Sequence, residues 1–234
     1  MSEILTLEEV PSPDISHIIT EDDTPVDNIF SAKQQRLLVE SLYSGWLSSI
    51  PFLVCANVGL FYSRNQPPLV PDVFLSLEVS VTPDWRQKQN RAYFIWEFGK
   101  PPELVLEIVS NRIGKELGSK LRDYARIGIG YYVVFDPLQQ LGETQLQIYE
   151  LQGTRYNLLN ATWLEQVGLG LTLWQGVFEG VEQTWLRWRD QEGNIILTGA
   201  ERAEKQRQRA EQAEQRAAKL AEQLRAAGIE PEIL

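Results

Sequence analysis

The chain has 234 residues and a formal charge of −10, with one cysteine, Cys55, and one histidine, His17. That length suits one α/β domain of moderate size with a short appendage. The single cysteine excludes an intrachain disulfide framework or a cysteine zinc site, and the lone histidine argues against histidine-based triads and multi-histidine zinc sites.

No apolar run approaches the ~20 residues of a membrane span, and Met1-Ser2-Glu3-Ile4 lacks the basic start of a secretory signal. A cytoplasmic protein with no membrane partner is expected. A net charge of −10 argues against a nucleic-acid partner until its distribution is considered. Residues 1–30 hold eight acids and no Lys or Arg, and the segment from 201 holds seven of each sign. The central 170 residues are therefore only −2, and within them Arg112, Lys115, Lys120, Arg122 and Arg126 form a local basic patch.

In chain order, residues 1–30 carry Pro11, Pro13 and Pro25 and show no periodicity, which predicts an acidic flexible arm. Ser31 is a candidate cap for a helix whose apolar face is Leu37, Leu38, Leu42 and Trp46, ending at Ser48-Ser49-Ile50-Pro51. Strands are expected near 52–62, 69–80, 91–98, 103–109, 130–135, 145–151 and 154–159, separated by turn signals such as Asn65-Gln66-Pro67-Pro68. Residues 82–90 read as a polar loop. A helix over 114–127 joins the strands ending at Ser110 and starting at Tyr131, a β-α-β unit of ordinary size. The fold class is thus a mixed α/β (α+β) sheet flanked by helices, over 31–197. Trp163, Trp174, Trp185 and Trp188 lie among short apolar pieces that close the core. From 198 to 234 the composition becomes Ala, Glu, Gln, Arg and Lys, with Ala203, Ala210, Ala217 and Leu224 every seven residues, interleaved with Ala213 and Leu220. This predicts a long exposed helix with a weak coiled-coil seam, able to support a homodimer in part but burying little area.

Two acids stand in apolar strands. Glu107 sits within Leu104-Val105-Leu106-Glu107-Ile108-Val109, and Asp72 alternates with Val70 and Phe74 in Leu69-Val70-Pro71-Asp72-Val73-Phe74-Leu75. A buried ionised carboxylate costs several kcal/mol unless paired, hydrogen-bonded or bound to a cation. Two such acids brought together repel unless a proton or a metal lies between them, and oxygen donors suit Mg²⁺ or Mn²⁺. Taken singly, Asp72 could instead cap a turn after Pro71, and Glu107 could pair with an arginine. The inward face of the following helix is set by Leu117, Leu121, Tyr124 and Gly128; Lys120 falls close to it, while Lys115, Arg122 and Arg126 fall outside.

The order Pro71-Asp72, Glu107-Ile108-Val109, Lys120-Leu121-Arg122-Asp123-Tyr124-Ala125 and Gly128-Ile129-Gly130-Tyr131-Tyr132-Val133-Val134-Phe135-Asp136-Pro137 resembles the bacterial Uma-two family over about 31–175, most specifically over 103–137. That family is described as proposed restriction endonucleases and is similar in fold to the PD-(D/E)XK nucleases. The resemblance implies a restriction-endonuclease-like domain with Asp72 and Glu107 as metal ligands and the Ile108 carbonyl as a third oxygen. The parent motif places a lysine where this chain has Val109; in the Uma-two pattern the lysine comes from the following helix, at Lys120. Glu40 is a candidate for the extra helix-borne acid of such nucleases, or a surface acid.

The implied function is a Mg²⁺- or Mn²⁺-dependent endonuclease cutting DNA phosphodiesters, with Asp72, Glu107 and Lys120 catalytic. Arg112, Lys115, Arg122 and Arg126, with Arg86, Lys88 and Arg91 as further candidates, would hold the nucleic-acid backbone without reading bases. The alternative is a nuclease-fold chain that no longer cuts and serves as an assembly module through its tail. Seven tryptophans could suggest carbohydrate stacking with a glycosidase acid pair, but packing is the simpler reading of their context, and a glycosidase has no need of Lys120. Asp136-Pro137 reads as a turn that ends a strand.

Overall fold

The computed structural model describes residues 28–84, 86–110 and 116–228. The acidic arm, apart from its last three residues, lies outside them, as do Arg112 and Lys115. The elements run α1 (Ile29–Gly45), β1 (Phe52–Ala56), β2 (Leu60–Phe61), β3 (Val73–Leu77), β4 (Tyr93–Phe94), the single turn α2 (Ile95–Phe98) and β5 (Leu104–Ile108). A π-turn (Glu116–Lys120) then leads into α3 (Leu121–Ile127), followed by β6 (Tyr131–Phe135), β7 (Leu146–Gln152) and β8 (Arg155–Leu158). The chain closes with β9 (Trp163–Leu164), β10 (Leu169–Phe178), β11 (Val181–Arg189) and α4 (Gly199–Ala226).

Six strands form one mixed sheet in the order β1-β3-β5-β6-β7-β8. Only β5 and β6 are parallel in it, and they are the pair joined through α3, because a parallel neighbour needs a crossover and the others can close by hairpins. Alternation along the strands splits the core in two. Leu104, Leu106 and Ile108, with Val73, Leu75 and Leu77, face α1 and the three-stranded sheet β11-β10-β9. Val105, Val109 and Phe74 face the other way, against Tyr124 of α3, Tyr132 and Tyr93. Trp188 is wholly buried in the first layer and Trp185 is wholly buried against Phe30 and Phe178, which makes both packing residues.

Several expected boundaries move for local reasons. The α1 cap is Asn28, whose Oδ1 accepts from the Ser31 N–H at 2.9 Å, so Ser31 lies one turn inside the helix. The strand expected over 52–62 breaks at Asn57, which takes a left-handed φ of 54°. The strand expected over 91–98 stops at Phe94 and continues as α2, ended by Gly99 in the left-handed region. The helix expected from 114 begins as the wider π-turn; that winding alters which residues face inward and leaves Leu117 41% exposed rather than on the inner face. Gly128, at φ 85°, ends α3 by accepting a left-handed conformation no side chain favours.

The root of α4 is part of the core. Thr198 and Glu201 form a reciprocal capping box, and the Gly199 N–H donates to Glu40 Oε1 at 2.6 Å. Arg187 of β11, 1% exposed, meets Glu201 through two parallel bonds of 2.9 and 2.7 Å. Beyond this root no residue of α4 is buried, and Leu220 of the expected seam is exposed.

Candidate active site

Asp72 and Glu107 meet where β3 and β5 end. Val73 stands opposite Leu106 as the last paired position, and the same register carried one step further sets Asp72 opposite Glu107. The β3 ladder starts later than the expected 69–80 because the Asp72 side chain takes over a backbone role, its Oδ2 accepting the Ile108 N–H at 2.5 Å, and it stops earlier because Glu78 takes a left-handed φ of 57°. Asp72 is 9% exposed and Glu107 2%. Both are carboxylates that need donors, and each has them.

Glu107 Oε2 accepts from Lys120 Nζ at 2.9 Å, and Oε1 accepts from the Tyr124 hydroxyl at 2.7 Å. Lys120 ends the π-turn and Tyr124 lies four residues on, so one helical face delivers an ammonium and a phenol to the same acid. Lys120 is 34% exposed and opens this otherwise buried cluster towards solvent. Burial first, and then the Glu107 and Asp72 charges, push the Tyr124 phenol well above its ordinary range. It is therefore a fixed donor at neutral pH.

Asp72 Oδ1 accepts from Gln35 Nε2 of α1 at 3.1 Å. Gln35 is itself oriented by Asn57, whose Nδ2 donates to Gln35 Oε1 at 2.9 Å. The Asn57 N–H in turn donates to the Asp72 carbonyl at 3.2 Å, so the unusual Asn57 backbone closes a small network around the acid.

Four predicted residues thus come together: Asp72, Glu107, Lys120 and the backbone of Ile108. Glu40 does not join them; its carboxylate serves Gly199 and the Ser44 hydroxyl (2.7 Å). The residue that α1 presents to the site is Gln35, which sequence reasoning missed, and Tyr124 was noted for packing but not as a donor to Glu107. Arg122 and Arg126 lie on the outer side of α3, both exposed. Arg126 stacks over Tyr62 at 5.5 Å and pairs with Asp123 at 3.3 Å. Arg86 and Arg91 are exposed and Lys88 is half-buried in the loop before β4. Asp136 ends β6, with Oδ2 accepting the Leu141 N–H at 2.7 Å, as the turn reading requires.

Among the described residues no group of three His, Cys, Asp or Glu side chains converges. The donors at hand are two carboxylates and strand-end backbone, hard oxygens that fit a cation retaining several of its waters, as Mg²⁺ does. Nitrogen- and sulfur-preferring metals find no ligands here.

Residues 20–175 match the model of the Uma2 family, described as "Putative restriction endonuclease". The chain belongs to the Uma2 family. No curated protein matches it. A solved structure of a "putative nuclease belonging to DUF820" from Anabaena variabilis is similar, at 13% identity over 60% of this chain and 72% of that one, with a TM-score of 0.41. That likeness is too remote to inform the site. The Uma2 match covers every residue of the cluster built above, from Gln35 to Tyr124, and it agrees with the mixed α/β architecture expected for such a domain. Among the described residues of this Uma2 chain, no helix is long and apolar enough to cross a membrane.

Proposed function

We propose that this Uma2 chain is a metal-dependent endonuclease that hydrolyses DNA phosphodiester bonds. One observation carries the reading: two buried carboxylates from adjacent strand ends lie beside an accessible lysine, in a family whose description is "Putative restriction endonuclease". Structural ion pairs rarely need a second buried acid next to the first, because like charges raise the cost of burial.

Asp72 and Glu107 would hold Mg²⁺ or Mn²⁺, with the Ile108 carbonyl as a third oxygen. A strand residue aims its N–H and C=O at the same edge, and the Ile108 N–H already meets Asp72. When bound, the cation would supply Lewis-acid polarisation of a phosphate oxygen and a more acidic water. Lys120 would turn from Glu107 towards the phosphate and neutralise charge developing on its non-bridging oxygens. Tyr124 keeps Glu107 in one rotamer while that happens, and Gln35 does the same for Asp72.

The test is incubation of the purified protein with supercoiled plasmid and Mg²⁺ or Mn²⁺, alongside Mn²⁺ calorimetry. The expected result is nicking and saturable Mn²⁺ binding, both abolished by Asp72→Asn and by Glu107→Gln. Cleavage that survives those substitutions would overturn the assignment. A chain that neither binds Mn²⁺ nor cuts would be the non-catalytic assembly module instead.

A further inference from the structure

We infer that a cleft between α3 and the β7–β8 hairpin is the track for the sugar-phosphate backbone of the DNA strand flanking the cut, with Arg155 as its distal anchor. This rests on the endonuclease reading and adds the path of the substrate to it. The cleft holds about 780 Å³ and is walled by Arg122 and Arg126 on one side and by Gly153, Thr154, Arg155 and Tyr156 on the other. Three arginines and no acid line it, in a chain whose net charge is −10.

A cleft lined by charge of one sign focuses its field on ions of the other sign. Arg122 and Arg155 are exposed and have no ion-pair partner among the described residues. Arg126 is held by Tyr62 and Asp123, so its guanidinium is already oriented. The opposite wall is rigid too. Gln152 pairs with Arg155 across a two-residue turn in which Gly153 takes φ 65°, the geometry that glycine supplies at the first turn position. Tyr156 fixes the strand to the α3 end by donating to the Ile129 carbonyl at 2.8 Å.

The spacing suits a strand that enters at Lys120. From Lys120 to Arg126 a helix rises about 9 Å, which spans two to three phosphates at the roughly 3.4 Å axial repeat of one DNA strand. The face of α3 that carries Lys120 and Tyr124 serves the acids, and Arg122 and Arg126, each two residues further on, lie round the helix on its outer side, where they line the cleft. Arginine suits this role because its planar fork matches phosphate oxygens. These residues are positioning residues and touch no reacting atom.

The test measures binding of a fluorescent DNA duplex by anisotropy across a salt series, using Asp72→Asn protein so that nothing is cut. Arg122→Gln/Arg155→Gln should lower the slope of log K against log salt by about 2 and weaken binding roughly 60-fold at 0.1 M salt, since each phosphate contact contributes about 0.9 to the slope. Lys219→Gln, on the exposed far part of α4, should leave both unchanged. In the cleaving background the double substitution should raise KM with little effect on kcat. An unchanged slope and KM would overturn the track while leaving the endonuclease reading intact, and a chain that binds no DNA at all would overturn it as well. Arginine-dependent binding without any metal-dependent cleavage would sink the nuclease, and with it the track as a path beside a cut, leaving a DNA-binding cleft alone.

Discussion

Glu201→Ala should cost this protein about 3–4 kcal/mol, and the reasoning is in the Arg187 environment. The Arg187 guanidinium is 1% exposed, lies 4.9 Å from the Trp174 ring and donates to Glu201 Oε1, Glu201 Oε2 and the Ile196 carbonyl. Deleting the carboxylate strands a buried cation, a loss of about 3–5 kcal/mol when no other charge can answer it. The lost capping box adds about 1 kcal/mol. Glu201 itself is 32% exposed, so water can partly replace it and the sum falls towards the lower end. Against a typical total of about 5–15 kcal/mol this is a large fraction. Burial pushes the Glu201 carboxyl up, but hydrogen bonds from Arg187 and Thr198 outweigh it and hold it below the usual carboxylate range. Its stabilisation is therefore present above the unfolded carboxylate pKa and is lost as pH falls through the lower folded value. Urea unfolding followed by tryptophan fluorescence at pH 7 measures the loss, and Arg187→Met/Glu201→Ala should recover most of it by removing the orphaned charge. A single substitution within 1 kcal/mol of the parent, or a double no better than the single, would refute the account.

Tyr124→Phe removes a donor 2.7 Å from the buried Glu107 and should destabilise the fold by about 1.5–3 kcal/mol in urea at pH 8, the usual loss for a hydrogen bond to a charged group. Burial pushes the Tyr93 phenol up to about 12. The unfolded chain then loses that proton first, so stability present below pH ~10 should drain away as pH rises towards 12, and Tyr93→Phe should flatten the decline. Burial likewise raises the Cys55 thiol to about 11. At pH 8 the native thiolate is then about 100-fold scarcer than in the unfolded chain, and since a thiolate of higher pKa is also more nucleophilic, an aromatic disulfide reagent should react at least about tenfold more slowly with the native protein than with the protein in urea; equal rates would contradict the burial. A chain ending at Gln212 keeps the α4 root and should match the full chain in urea, whereas one ending at Leu197 strands Arg187 and should lose about 3 kcal/mol or more. Light scattering on the Gln212 form reads whether the exposed seam contributes to self-association.

Glu107, Asp72 and Lys120 were legible in the sequence because their signals are local. A charge inside a β-branched run, a charge on one face of a strand and a lysine at helical spacing from Tyr124 can each be read within a dozen residues. Gln35 could not be read that way: it reaches Asp72 across 37 positions, and glutamine in an amphipathic helix carries no mark of a buried partner. The expectation of a helix-borne acid pointed to α1 but to the wrong residue, since Glu40 lies over a turn further along and caps α4. Arg187 was missed because an arginine beside tryptophans in a strand looks solvent-facing until its partner, 14 residues away, is known. The strand ends moved where side chains replaced backbone partners, as Asp72 does for Ile108.

Anchored at one end, α4 behaves as a cantilever. Its 28 residues give an arm about 42 Å long at 1.5 Å per residue. Arg207, bonded to Glu204 and Glu211 on the arm's own surface, stiffens the part without core contacts. Anything fastened to the tip is then held at a set reach from the domain rather than sweeping freely about it. Adding or removing seven residues would move the tip by about 10 Å with almost no rotation, because seven residues make nearly two full turns. The tail length is in this sense a ruler, readable by labelling root and tip and measuring their separation.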